Sequence, residues 1–432
     1  MTFVRLSAPI SIISILIFAP NTALGFTTTR TMTTTKGVVV RRSSSLGEIK
    51  GESYYHADSN SNAKWRQRRS SSRAAAARLH AIEETSSLIG ETSSAPKLSF
   101  GVIADIQYAP IPDGESYGGV PRYYRHALSA AKHAAQHFQE EKVDLVVNLG
   151  DIIDGKCQDI AQDIQTEESK STTGNPGIDA IKDVTEALSA YTHGDILHTY
   201  GNHELYNVDR QELGKLLSIP FHSEPCGEDV GYRSYLLEKN GVRLRFVVLD
   251  TYDITLGGRC ETSSNKRKLA EKLLEKNNPN FVKGNENSPE GMEGLMRRYV
   301  AFNGAVGEIQ MQWLKSTLEA AKGSNEKVII LSHQPLFPES SNFVCLAWNY
   351  DEILDLLKDY SDTVVASFSG HAHRGGYKRC DDSGIHYRVF EAALESPDPI
   401  KTYALVDLYD DRIVVRGNGD CASAVYFLDH MG

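Results

Sequence analysis

The chain has 432 residues, of which 41% are hydrophobic and 24% are charged, and its formal net charge at pH 7 is −10. Residues 1–82 hold 12 Lys and Arg against 3 Asp and Glu, out of 46 and 56 in the whole chain, so residues 83–432 carry a net −19. Because contact with a phosphate backbone requires a basic face on the folded part, this acidic remainder argues against a nucleic-acid partner.

The first 96 residues differ in composition from the rest of the chain. Arg5, an apolar stretch at 6–19 and the small residues at 23–25 match the three parts of a signal peptide. About 14 apolar residues are too few to predict a membrane span, so we expect no stable membrane anchor in the mature form. We expect a signal peptide over 1–25, a disordered, basic, Ser/Thr-rich and transit-like segment over 26–96, and one folded domain over 97–432.

The two N-terminal segments together resemble the bipartite plastid presequences of algae with secondary plastids, in which Phe26 would follow the cleaved signal peptide. This resemblance implies a plastid location. Secretion or an endomembrane location is the alternative, and the basic segment would then be a disordered spacer. The six cysteines are dispersed and include no Cys-x-x-Cys pair, which agrees with a reducing compartment but leaves disulfides open.

Five short runs rich in Val, Ile, Leu and aromatic residues have the length of buried strands. They lie at residues 100–104, 145–149, 196–200, 328–331 and 364–368. Most are separated by helical patterns, at 123–141, 178–190, 307–322 and 351–360, so parallel strands with helical crossovers are predicted. The polar stretches 159–177 and 277–293 are predicted to be surface loops.

Every predicted strand is followed by side chains that can bind a metal ion. In chain order these are Asp105, Gln107, Asp151, Asn202, His333, His371 and His373. Taken singly, a strand-terminal Asp or an Asn beside Gly is more often structural. Ligands of parallel sheets collect beyond the carboxyl ends of the strands, however, so these seven residues are expected to converge. Together they predict a metal centre.

The chemistry of these side chains fits a pair of divalent ions. Oxygen ligands mixed with imidazole suit Mn, Fe, Co or Zn, and Asp151 can bridge two ions with its carboxylate. The other six would divide into two sets: Asp105, Gln107 and His373 for one ion, and Asn202, His333 and His371 for the other. Two ions roughly 3.5 to 4 Å apart lower the pKa of a bridging water and hold the oxygens of an in-line displacement at phosphorus. The sequence therefore predicts hydrolysis of a phosphoester or phosphoanhydride.

These motifs resemble those of the calcineurin-like metallophosphatase superfamily, which run D-x-H, G-D, G-N-H-[DE], H and G-H-x-H. Gln107 departs from the His that most of the superfamily has. The wider strings at 104–109, 122–126, 150–155, 344–350 and 370–377, however, look like the manganese-dependent ADP-ribose/CDP-alcohol diphosphatases, in which Gln is expected there. The resemblance covers residues 97–432 and implies an α/β fold of four layers, in which two mixed β-sheets are flanked by helices.

The resemblance also implies an activity. The implied enzyme is a dinuclear-metal hydrolase that uses a metal-bridging hydroxide. It would convert ADP-ribose to AMP and ribose 5-phosphate, and CDP-alcohols such as CDP-choline or CDP-glycerol to CMP and a phosphoalcohol. Mn is the expected metal, with Zn, Fe or Co as alternatives. The protein is expected to be a monomer. The alternatives are a phosphomonoesterase or cyclic-nucleotide phosphodiesterase of the same superfamily and, more remotely, a non-catalytic scaffold on this fold.

Further residues have candidate roles at the reaction centre. In the resembling enzymes the residue at His203 stabilises or protonates the departing oxygen, a task that suits an imidazole. Arg122 and Arg125 either neutralise the diphosphate, because a guanidinium matches phosphate oxygens in a bidentate manner, or face solvent. The remaining candidates either form a nucleoside pocket or pack in the core, and they are Tyr108, Val344, Cys345, Trp348 and Tyr350.

Overall fold

The computed structural model describes residues 95–160, 171–220, 222–225, 227–259 and 262–428. The predicted signal peptide, nearly all of the predicted transit-like segment, and residues 161–170 of the predicted loop at 159–177 lie outside these ranges. In the part of the chain that the structure describes, no helix is both long enough and apolar enough to cross a membrane. Cys345, Cys380 and Cys421 are free thiols.

The first sheet has six strands. They are β1 (Leu98–Ile103), β4 (Leu145–Asn148), β5 (Asp195–His198), β14 (Tyr403–Leu408), β15 (Arg412–Asn418) and β16 (Ala424–Phe427). Across the sheet they follow the order β16-β15-β14-β1-β4-β5. β1, β4 and β5 are parallel neighbours, whereas β14 to β16 pair in the antiparallel sense. The sheet is therefore mixed.

The second sheet also has six strands. They are β8 (Arg233–Lys239), β9 (Val242–Val248), β10 (Lys327–Leu331), β11 (Val364–Ser369), β12 (Arg374–Arg379) and β13 (His386–Glu391). Their order is β12-β13-β11-β10-β9-β8, with parallel pairing inside the sheet and antiparallel pairing at both edges. Two short hairpins lie outside the sheets, and they join β2 (Gly114–Glu115) to β3 (Pro121–Arg122) and β6 (His222–Ser223) to β7 (Asp229–Val230).

The described residues form seven α-helices. They are α1 (Tyr124–Glu140), α2 (Pro176–Leu188), α3 (Asn202–Asn207), α4 (Arg210–Leu216), α5 (Asn265–Asn277), α6 (Glu308–Gly323) and α7 (Tyr350–Lys358). α1 buries Ala127, Ala131, Ala134 and Phe138, which recur every three or four residues and so form one apolar face against the first sheet. α6 and α7 pack in the same way on the second sheet.

The two sheets pack face to face through a shared apolar core. At its centre Phe100 of the first sheet meets two rings of the second, with ring centroids 5.1 Å from Phe246 and 6.2 Å from Phe368. The described residues therefore form a helix–sheet–sheet–helix sandwich of four layers, which confirms the predicted fold class. All nine predicted strands and helices coincide with observed ones to within two residues at each end.

The two segments predicted to be surface loops are more ordered than that prediction implies. The loop at 159–177 ends early, because Pro176 begins α2 and the Asn175 side chain accepts hydrogen bonds from the backbone N–H groups of Gly177 and Ile178. The loop at 277–293 is folded on itself: buried Asn278 and Asn280 donate side-chain hydrogen bonds to its backbone carbonyls, and a 3₁₀ turn spans Phe281–Lys283. These amides satisfy backbone groups that an extended surface loop would leave to water.

Candidate metal centre

The structure brings the seven predicted metal ligands together beyond the strand ends. Asp105 and Gln107 follow β1, Asp151 follows β4, and Asn202 begins α3 after β5. His333 follows β10, and His371 and His373 follow β11. The two sheets thus contribute to one centre, since the first supplies the carboxylates and amides and the second supplies the imidazoles.

Several ligand residues have a left-handed backbone. Among the described residues, eight that are not glycine have positive φ, and four of these are Asp105 (48°), Gln107 (43°), Asp151 (54°) and His371 (66°). Such a conformation costs of order 1–3 kcal/mol in a residue with a side chain and persists where the surroundings enforce it. Backbone hydrogen bonds from Asp105 to the Gly150 carbonyl (3.2 Å) and from Gln107 to the Asp151 carbonyl (2.8 Å) hold the two strand ends together.

One half of the centre gathers around Gln107. Its Nε2 lies 3.0 Å from Asp151 Oδ2 and 3.0 Å from His373 Nε2, and His373 Nε2 lies 3.5 Å from Asp105 Oδ1. Asp105 accepts a hydrogen bond from the backbone N–H of His371 (2.9 Å to Oδ2). These side chains are the set that the sequence assigns to one ion.

The other half gathers around His333. Its Nε2 lies 3.2 Å from Asp151 Oδ2 and 3.2 Å from His371 Nδ1. Asn202 Oδ1 accepts a hydrogen bond from the hydroxyl of Tyr252 (3.1 Å), whose ring lies 5.9 Å from that of His333. Asp151 Oδ2 is therefore the atom common to both halves, which is the position that a bridging carboxylate requires.

The donor set fits divalent cations. The outer nitrogens of His333 and His371 lie 2.6 Å from the Leu149 carbonyl and 2.8 Å from Asn303 Oδ1, so in neutral rings the inner nitrogens carry lone pairs. Lone pairs that face each other and a carboxylate repel unless a proton or a cation lies between them. The buried carboxamide oxygen of Gln107 has no hydrogen-bond partner among the described residues, although nearly all buried acceptors in proteins have one. A cation between the ring nitrogens and Asp151 would remove the repulsion, and the Gln107 oxygen is available as a further ligand.

The pKa shifts of the centre's residues also indicate that a positive charge is stabilised there. Burial alone would lower the pKa of His333, but the neighbouring Asp151 carboxylate raises it to about 10. Burial and then the charge of His333 hold the pKa of His371 well below its ordinary value. Burial opposes ionisation of Asp151, but His333 and His203 hold the pKa of this carboxyl well below its usual range. The metal-free centre is therefore expected to hold a proton at His333, which a metal ion displaces.

His203 lies beside this centre, in the first turn of α3. Its Nδ1 accepts a hydrogen bond from the Gly155 N–H (2.6 Å) and lies 3.5 Å from Asp154 Oδ2. Asp154 in turn accepts a hydrogen bond from Arg122 (3.2 Å). His203 Nε2 lies 3.9 Å from Asp151 Oδ2, so this nitrogen is the one on the side of the metal centre.

The polar and loop residues predicted to bind substrate occupy different environments. Arg122 is partly buried and paired with Asp154, whereas Arg125 is exposed on α1. Val344 and Cys345 lie in a 3₁₀ turn, Phe343–Cys345, and both are half-buried. Burial and then the charge of Asp105 raise the pKa of the Cys345 thiol to about 12.

The aromatic residues in that prediction are packing residues. Tyr108 is buried in the core and its hydroxyl donates to Asp183 (3.2 Å). Trp348 is 1% exposed and donates its indole N–H to the Val300 carbonyl (3.3 Å). Tyr350 is buried below the guanidinium of Arg298, which lies 5.0 Å from its ring centroid. Core packing was the alternative to the nucleoside pocket, and these contacts match it.

Among the residues that sequence reasoning missed, four have side chains that contact the predicted metal ligands or His203. They are Asp154 behind His203, Tyr252 on Asn202, Asn303 on His371 and Glu395 on His373. Asp154 belongs to the 150–155 segment that carries part of the family resemblance, so its position there could have identified it as a site residue. The other three lie in segments without a motif and reach the centre only through the tertiary fold.

A cleft of about 550 Å³ lies on the far side of α3. Tyr206 and Asn207 of α3 form one wall, and the ring of Tyr206 lies 5.8 Å from that of His203. Leu256, Gly257 and neighbouring residues form the other wall.

Comparison with known proteins places this geometry in context. Residues 98–375 match the family described as calcineurin-like phosphoesterase. A manganese-dependent ADP-ribose/CDP-alcohol diphosphatase from Oryza sativa subsp. japonica is 38% identical over 339 residues, covering 78% of this chain and 96% of the relative. A protein with the same description from Arabidopsis thaliana is 39% identical over 330 residues, covering 76% and 96%. The crystal structure of a dimetal phosphatase from Danio rerio superimposes with a TM-score of 0.68 at 34% identity, covering 77% of this chain and 99% of that one.

Proposed function

Because this chain belongs to the calcineurin-like phosphoesterase family, and within it to the manganese-dependent ADP-ribose/CDP-alcohol diphosphatases, we propose that it hydrolyses the diphosphate of ADP-ribose and CDP-alcohols with two Mn²⁺ ions. The products are AMP and ribose 5-phosphate, or CMP and a phosphoalcohol. The observation that carries the proposal is that Asp151 Oδ2 lies 3.0 Å from Gln107 Nε2 and 3.2 Å from His333 Nε2, so the two groups of predicted ligands share this atom.

The side chains divide between the two ions. Asp105, Gln107 and His373 would hold one, and Asn202, His333 and His371 the other, with Asp151 shared. Two such ions, when bound, activate a water and neutralise the oxygens of an in-line displacement at phosphorus. The protein supplies the geometry, because the strained strand ends and the buried hydrogen bonds fix these side chains before substrate arrives.

His203 is the residue we assign to the leaving group. Since its Nδ1 accepts the Gly155 N–H, the neutral ring carries its proton on Nε2, which lies on the side of the centre. From there Nε2–H donates a hydrogen bond to the departing phosphate oxygen. Asp154 Oδ2 lies 3.5 Å from Nδ1, and Arg122 holds Asp154 in place. The partly buried Arg122 is also the better placed of the two arginines to approach a diphosphate.

Product analysis tests this function. The full chain, stripped with chelator and resupplied with Mn²⁺, is incubated with ADP-ribose, CDP-choline, CDP-glycerol, p-nitrophenyl phosphate and a cyclic nucleotide. We expect equimolar AMP and ribose 5-phosphate from ADP-ribose, CMP from the CDP-alcohols, and slower cleavage of the other two. Faster cleavage of the monoester or the cyclic nucleotide would assign the chain to the alternative activities, and no cleavage with Mn²⁺ bound would indicate a scaffold.

We also propose that residues 1–96 direct the enzyme to a plastid. The proposal is supported by the signal-peptide pattern, the basic and nearly acid-free segment after it, and Phe26 at the expected cleavage point. The acidic character of residues 83–432 further supports small molecules, rather than nucleic acid, as partners of the folded domain.

A further inference from the structure

Each histidine of the metal centre has its outer nitrogen bound to a different kind of acceptor. For His333 the acceptor is a backbone carbonyl, that of Leu149 (2.6 Å). For His371 it is the side-chain amide of Asn303 (2.8 Å), and for His373 it is the carboxylate of Glu395 (2.7 Å). Such partners fix the tautomer and orientation of a metal-binding imidazole, and a carboxylate also makes the ring a stronger ligand. Among these three histidines, only His373 has a carboxylate behind it.

Glu395 is held in place by the backbone around it. It ends the 3₁₀ turn Ala393–Glu395, where the Leu394 N–H donates to the carbonyl of Asp105 (3.1 Å). The Ala392 N–H donates to the carbonyl of His373 (3.0 Å). The turn is therefore hydrogen-bonded to two of the residues that would hold the same ion, and the Glu395 side chain is only 19% exposed. This arrangement fixes the carboxylate relative to the ring that it contacts.

The two halves of the centre also differ in the number of imidazoles among their predicted ligands. Each half contains one neutral carboxamide, Gln107 or Asn202, but the first half has one imidazole, that of His373, where the second half has two. We propose that Glu395 is a positioning residue that turns His373 Nε2 toward the first ion and strengthens it as a ligand, thereby offsetting the weak ligand Gln107. The inference rests on the proposed two-ion centre and assigns a role to a residue outside the ligand set.

Mn²⁺ binding to the metal-stripped full chain tests this role. Calorimetry measures the affinity of each site, and the electron paramagnetic resonance of free Mn²⁺ gives the number of ions bound per chain. Glu395→Gln removes the charge and keeps the shape. We expect it to weaken one of the two sites by roughly 10–100-fold, the usual cost of losing an outer-shell partner, and to leave the other unchanged. Glu275→Gln, on the exposed side of α5, is the matched control and should leave both sites unchanged.

A double-mutant cycle tests the offset itself. If Glu395 compensates for Gln107, the loss caused by Glu395→Gln should be smaller in a Gln107→His background, because His restores a strong ligand to the same ion. Glu395→Asp, which keeps the charge but shortens the side chain, should give an intermediate loss and serves if Glu395→Gln does not fold. An equal loss at both sites, no loss at either, or the same loss in both backgrounds would overturn the proposal. Failure of the wild-type chain to bind Mn²⁺ would instead overturn the proposed function.

Discussion

At the scale of single residues, His203 lies between two groups that affect its ring differently. The Gly155 N–H donates to Nδ1 and so directs the proton of the neutral ring to Nε2, whereas the Asp154 carboxylate lies 3.5 Å from Nδ1. His203→Ala should therefore leave Mn²⁺ content nearly unchanged and lower kcat for ADP-ribose by about 10²-fold or more, as expected for loss of a general acid. The loss should shrink for p-nitrophenyl phosphate, whose leaving group needs little help.

His193 offers a matched control, because His193→Ala removes an exposed imidazole to which no role is assigned. Equal losses on good and poor leaving groups would assign His203 to positioning rather than to the leaving group.

We expect Gln107 to determine which metal the first half of the centre prefers. A carboxamide is a weaker and harder ligand than imidazole, so this ion should be oxygen-preferring and readily removed. Gln107→His should raise affinity for Zn²⁺ and reduce the dependence of activity on added Mn²⁺. Metal titrations of the two stripped proteins, assayed with ADP-ribose, measure the change. Identical metal preference would show that Gln107 does not select the ion.

At the scale of secondary structure, the end of β5 couples the two sheets. Arg233 at the start of β8 donates to the carbonyl of His198 (2.5 Å), the last residue of β5. Burial and then the charge of Arg233 lower the pKa of the His198 imidazole to about 3. The folded protein thus holds this ring neutral at a pH where the unfolded chain, with a pKa near 6.5, is protonated.

This shift predicts a specific acid sensitivity. Between pH 6.5 and about 3 the unfolded state binds the extra proton, so stability rises with pH and falls on acidification by up to about 1.4 kcal/mol per pH unit. His198→Leu should remove that dependence. Urea unfolding of both metal-free proteins at pH 7.0, 5.5 and 4.5 compares them, and a difference in stability that does not vary with pH would refute the assignment.

Strand ends explain why so much of the site could be predicted from sequence. Apolar runs of strand length, separated by helical patterns, require parallel strands, and parallel strands place the residues that follow them at one rim. Asp105, Asp151 and His333 were therefore predictable in position as well as in identity. Asn303 and Glu395 were not, because they lie in irregular segments whose positions depend on tertiary packing. The aromatic residues had two readings from sequence, pocket or core, and the burial of Trp348 matches core packing.

At the scale of the whole molecule, the opposite charges of the N-terminal segment and the folded domain suggest a division between targeting and catalysis. Residues 1–96 fused to a fluorescent protein should reach the plastid in an alga with a secondary plastid. Phe26→Ala should leave the fusion in the endomembrane system, because the aromatic residue at the new N-terminus distinguishes this presequence from a secretory one. Microscopy checks both, and export of the unmodified fusion to the medium would favour secretion.

The central claim is that two ions bound around Asp151 carry out diphosphate hydrolysis. A stepwise Mn²⁺ titration of the chelator-stripped full chain, with bound ions counted and ADP-ribose hydrolysis measured on the same samples, tests it most directly. A two-ion centre predicts two bound ions per chain, with AMP and ribose 5-phosphate appearing as the second site fills. It also predicts that folded Asp151→Ala loses more activity than the roughly 100-fold typical of an outer-shell partner. Full activity in the metal-free chain, or near-normal turnover by Asp151→Ala, would contradict it.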